Sequence, residues 1–120
     1  MSDKGLLKEW QKRLSMTEWR VRLITGCDPE EMAIQDAAGC TSWQESTKTA
    51  LIQILDPVYY GKRVVPFDFE EILVHELLHL KFCMFYDKEG EVRERLVHQV
   101  IDEISRALVD AKRAVTPGGG

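Results

Sequence analysis

Apolar residues recur at helical spacing near the start of the chain, where Leu7, Trp10 and Leu14 form a stripe that Leu6 widens. A helix from about Asp3 to Ser15 is predicted. The period then changes: Trp19, Val21 and Leu23 alternate with Arg20 and Arg22, as in a half-exposed strand. In "CDPEE", Asp28 is a capping residue, Pro29 suits a first helical position and Glu31 sits three after the cap. These signals predict a short helix to about Ala38, ended by Gly39. The stretches "CTSWQES" and "TALIQIL" lean to strand, with Ser46 to Lys48 as the turn between them. "DPVYYGKRVVP" is punctuated by Pro57, Gly61 and Pro66 and reads as a loop.

Asp68 opens a long helix, and Glu71 completes a capping box. That helix is expected to reach about Tyr86, where "DKEG" breaks it. A last helix, from about Glu91 to Ala114, carries Leu96, Val97, Val100, Ile101, Ile104 and Leu108 as its buried stripe. This order predicts an α+β domain over residues 1–115, a small, mostly antiparallel sheet packed against long helices. The end, "TPGGG" (116–120), reads as a disordered tail.

Composition narrows the classes. With 120 residues, 44% hydrophobic and 30% charged, the chain suits one globular domain. A net charge of −4 and no Lys/Arg-rich block argue against nucleic acid as a partner. No apolar run is long enough for a bilayer, so no membrane role is expected. "MSDKGLLKEW" lacks the apolar core of a signal peptide, which leaves a cytoplasmic location as the default. Cys27, Cys40 and Cys83 include no CxxC pair and are expected to be reduced, half-buried thiols. The oligomeric state is not legible from the sequence.

The candidate chemistry lies in "ILVHELLHL", Ile72 to Leu80. Ile72, Leu73, Leu77, Leu78 and Leu80 make this a core helix, and burying imidazoles and a carboxylate there costs several kcal/mol unless they are paired. His75 and His79 are four apart, hence neighbours on one helical face, and can converge on one zinc ion. Glu76 points to a different side of the same turn, from which it could take a proton from a metal-bound water. The plainer alternative is a metal-free core in which local hydrogen bonds satisfy the histidines.

A catalytic zinc site needs a third protein ligand and an open position. The extension HExxHxxGxxH is excluded, because Phe82 and Phe85 stand where it needs Gly and His. His98, on the final helix, is the favoured third ligand, with Asp102 as the outer carboxylate that orients a ligating imidazole. Glu94, one turn before His98, is the alternative third ligand, and Glu103 a weaker candidate. Each charged residue of "EVRERLVHQVIDE" also suits a solvated helix edge.

The motif order resembles the minigluzincins and is similar to small phage- and prophage-associated metallopeptidases. The resemblance spans about residues 6 to 108: a short helix, "MTEWRVRLI", a hairpin, "VHELLHL" and a second helix. It implies a zincin-like fold, a Zn2+ cofactor and hydrolysis of peptide bonds in a peptide or protein substrate, with Glu76 as general base. Where that family carries a ligating Glu with an acidic residue four further on, this chain has His98 and Asp102. A His-His-His site would leave the zinc more positive and its water more acidic. The resemblance also implies that an exposed edge strand binds extended peptide, for which Thr49 to Leu55 is the candidate. Tyr59, Tyr60 and Tyr86 could serve an oxyanion, and equally suit packing. The alternative function is a zinc-binding regulatory or interaction module with little general protease activity.

Overall fold

A computed structural model describes residues 2–34, 37–61, 63–83 and 91–115, except for the side chains of 91–96. Helix α1 (Asp3–Arg13) is capped by Ser2, whose hydroxyl accepts from the Gly5 N–H at 3.0 Å. It stops short of the predicted Ser15 because that residue takes a left-handed conformation (φ 56°). Strands β1 (Arg20–Cys27), β2 (Gly39–Gln44) and β3 (Thr49–Leu55) follow, then a 3-10 turn (Pro57–Tyr59), α2 (Phe69–Lys81) and α3 (Glu91–Val115). The domain is α+β, as the pattern predicts. Among the described residues no helix is long and apolar enough to cross a membrane.

The sheet is mixed rather than mostly antiparallel. Its order is β1-β3-β2, with β1 parallel and β2 antiparallel to β3. The reason lies in β3. "TALIQIL" is apolar at almost every position, the mark of a strand covered on both faces, and such a strand must be central. Ala50, Ile52 and Ile54 face α2 with Leu73, Val74, Leu77 and Leu80 in the main core. Each fully buried side chain of this kind stabilises the fold by roughly 1.5–3 kcal/mol. Leu55 joins Cys27, Met32 and Cys40 in a second cluster. All three cysteines are buried, more deeply than the half-burial expected of them.

No helix forms after Asp28 among the described residues. The capping signals themselves are real: Asp28 accepts from the N–H groups of Glu30 and Glu31, and Glu31 accepts from the Asp28 N–H. Propagation fails because the Gln53 side chain from β3 takes the groups a helix would pair. Its amide donates to Glu31 O at 2.8 Å and accepts from the Ala33 N–H at 3.2 Å. Met32 is then free to enter the second cluster.

Helix α2 ends at Lys81, not near Tyr86, as Phe82 leaves helical geometry and Cys83 turns into the core. Tyr86 and the tail 116–120 lie outside the described residues. On α3 the buried line is Ile101, Ser105 and Val109, flanked by Val97, Ile104 and Leu108. Val100, predicted to be buried, is exposed, because it sits about 100° round the helix from Ile101. Leu96 lies outside the described side chains.

Helices α2 and α3 run antiparallel, and charged pairs fix their register. Arg113 holds Asp68 at 2.7 and 3.0 Å, while Lys112 pairs with Glu70 and, at 3.0 Å, with Glu9 of α1. Trp10 donates to Glu70 at 2.7 Å and completes the clamp. The Arg113 guanidinium holds the Asp68 carboxyl below the usual carboxylate range. A depressed pKa gives stability that is present above the unfolded value of 3.8 and lost as pH falls through the folded one. Asp68→Asn keeps the helix cap but loses the ion pair. In urea unfolding at pH 7 it is expected to cost about 0.5–1 kcal/mol, a difference that vanishes near pH 2. An equal cost at both pH values would show that the pair contributes nothing.

Candidate metal centre

Two helices build the centre. Four-residue steps along α2 meet four-residue steps back along α3: Glu71 with Arg106 at 3.5 Å, His75 with Asp102 at 3.6 Å, then His79 with His98. The helix period therefore aims His75 and His79 at one point, and the antiparallel register delivers His98 to it. Ring centroids are 4.8 Å apart for His75–His79, 4.5 Å for His79–His98 and 5.9 Å for His75–His98. One ligating nitrogen from each of the three lies within 4.8 Å of the others, close enough to hold a metal ion.

The donor set fits such an ion. The His75 and His79 Nε2 atoms are 3.1 Å apart. Two nitrogens on a tetrahedral zinc, at 2.0–2.1 Å each, stand about 3.3 Å apart. Burial drives the His79 pKa down to about 3, helped by His75 and His98, so its ring is neutral and can accept a cation. Burial also lowers His75, against the raising effect of Asp102. Asp102 approaches His75 at Nδ1, the nitrogen opposite the convergent one, and Arg106 grips the same carboxylate at 3.0 Å. His79 is buried, His75 half-buried and His98 exposed, so the cluster opens to solvent on the α3 side.

Glu76, next to His75 in the chain, turns its carboxyl to β2. Only 6% of it is exposed, and burial raises its carboxyl to about 7, partly offset by a hydrogen bond from Thr41. The Thr41 hydroxyl donates to Oε1 at 2.6 Å. Gly39 lies against the other oxygen: a Cβ there would meet Oε2 at 3.0 Å and Ile72 Cγ2 at 2.9 Å. Neither Gly39 nor Thr41 is legible in the sequence as a site residue. A glycine in a strand marks close backbone approach in general, but nothing local says what approaches.

Of the other candidates, Glu94 belongs to α3, but its side chain lies outside the described residues. Glu103 is exposed. Tyr60 donates its hydroxyl to Val65 O at 2.7 Å and packs edge-on against Phe67, as a packing tyrosine does. Tyr59 is exposed, and Tyr86 is outside the described residues. Thr49 to Leu55 is the central strand and offers no free edge, so it cannot take a peptide by pairing. The edge beside α2 is β2.

No protein-family model, curated protein or solved structure matches the chain.

Proposed function

We propose that the chain is a zinc metallopeptidase with a zincin-like site that hydrolyses peptide bonds. The observation that carries this reading is three converging imidazoles on two packed helices, with a buried glutamate adjoining the first of them. Neutral nitrogen donors in a compact set favour zinc among divalent ions. When bound, zinc would supply a Lewis acid and lower the pKa of a water to about 7. His75, His79 and His98 would hold the ion, and Asp102 would fix the His75 ring through its far nitrogen. Glu76 takes the proton of the attacking water and returns it to the leaving amine.

The substrate strand docks on β2. The Leu55 N–H donates to Ala38 O at 2.9 Å, which makes 38 and 55 a hydrogen-bonded pair. Antiparallel pairs alternate, so Gly39, Thr41 and Trp43 turn their backbone N–H and C=O groups away from β3, toward the outer edge. The Thr41 and Trp43 side chains share the face that meets α2, as Ile52 and Ala50 do opposite them, and Gly39 leaves that face open opposite Ile54. An extended peptide paired there runs past Glu76.

The test is direct. The purified protein is loaded with zinc, its metal content measured, and a peptide library incubated with it. Zinc bound at one ion per chain with turnover of a peptide supports the reading. Zinc bound without turnover of any peptide favours a binding module, and no bound metal removes both.

A further inference from the structure

We infer that Thr41 is a positioning residue for Glu76, and that Gly39 supplies the space in which it acts. This rests on the hydrolase reading above. A glutamate side chain has three rotatable bonds, and a proton-transferring carboxylate works only when held in place. Here both oxygens meet the same strand. Oε1 takes the Thr41 hydroxyl at 2.6 Å, and Oε2 lies where only a glycine leaves room. The hydroxyl stands farther, 3.4 Å, from the Glu76 backbone oxygen, so its single proton is committed to the carboxylate.

The contact joins two parts of the molecule that no helix connects. Residue 41 faces outward through its backbone and inward through its side chain, since it belongs to the pairs that turn N–H and C=O toward the outer edge. A peptide added to β2 is therefore hydrogen-bonded to the residue that holds Glu76. Docking of substrate and orientation of the base become one event. The Thr41 hydroxyl is committed to Glu76, so it should control the proton step and leave metal affinity alone.

The experiment compares Thr41→Val, Thr41→Ser and Gly39→Ala with the unaltered zinc-loaded protein. Val keeps the shape of Thr and removes the donor. It is expected to lower kcat about 10- to 100-fold, with KM and zinc affinity within about threefold. Ser restores the hydroxyl and should recover kcat to within about threefold. Gly39→Ala should lower kcat as Val does, because its new Cβ displaces the carboxylate. A second readout needs no turnover: crystals of each variant locate Glu76, which should leave β2 in Val and Ala but not in Ser. Thr41→Val with unaltered kcat and an unmoved Glu76 overturns the inference, and so does a Ser variant as impaired as Val. If the unaltered protein cleaves no peptide, the hydrolase reading fails and the crystals alone decide whether Thr41 positions Glu76. If Val does not fold, the Ser and Ala variants decide it by the same readouts.

Discussion

Replacing Glu76 with Gln is expected to lower peptide hydrolysis about 10²- to 10⁴-fold while zinc stays bound at unaltered stoichiometry. Gln has the size of Glu. Its carbonyl can still accept the Thr41 hydroxyl, and its amide can occupy the space beside Gly39. What it cannot do is take a proton from water. The three imidazoles are untouched, so metal analysis and initial rates should separate cleanly. Full activity in this variant would remove Glu76 from the mechanism. The same substitution has a second consequence in the metal-free protein. Burial raises the Glu76 carboxyl from 4.5 to about 7, so the fold prefers its protonated form. A raised pKa gives stability that is fully present below 4.5 and lost as pH rises through about 7. At pH 8 the wild type has therefore lost on the order of 3 kcal/mol that the Gln variant keeps. Metal-free Glu76→Gln should unfold at higher urea concentration than metal-free wild type at pH 8, and the gap should close toward pH 4.5.

Much of this site was legible because a helix converts spacing into direction. His75 and His79 at i and i+4 must share a face, whatever surrounds them. The apolar neighbours Leu73, Leu77 and Leu80 marked that helix as buried, and all three are in the core. His98 was reachable by residue type alone, as the one histidine left. Its approach to His79 depends on the antiparallel register that Asp68, Glu71, Arg106 and Arg113 set, and those pairs span 35 or more residues. Sequence periodicity carries no information at that range.

The sheet was harder for the same reason. Alternation in β1 states which side chains are buried but not which strand lies alongside, so the parallel β1–β3 ladder could not be read from it. The position of β3 was available in principle, since a strand apolar on both faces is a central strand. Taking it as an edge confused proximity to α2 with accessibility. The missing helix after Asp28 shows a different limit. Its caps form as the local rules require, and one distant side chain, Gln53, then outcompetes the next turn. Gly39 was read as the end of that helix and is instead the cradle of Glu76.

Replacing His79 with Leu should separate the metal from the fold. His79 is 8% exposed and sits between Leu78 and Leu80 in the α2 core. With its pKa lowered to about 3, the ring is neutral in the folded state. A depressed histidine gives stability that is present above the unfolded value of 6.5 and lost as pH falls toward 3. Leu has similar volume and no proton to bind. The metal-free variant should therefore melt no lower than metal-free wild type at pH 7, and higher at pH 5. Its zinc affinity should nonetheless collapse. Structural zinc sites with four ligands bind with about 12 kcal/mol, so loss of one ligand removes on the order of 3 kcal/mol, roughly a hundredfold. Because a ligand stabilises the state it binds by RT ln(1 + [L]/Kd), micromolar zinc should raise the melting temperature of the wild type and of Glu76→Gln but not of His79→Leu. His98→Ala completes the comparison. That ring is exposed, so its removal costs the metal-free fold little, and any lost zinc stabilisation reports ligation alone. Retained stabilisation in His98→Ala would move the third ligand to Glu94, and retained stabilisation in His79→Leu would leave the three histidines without a metal to hold.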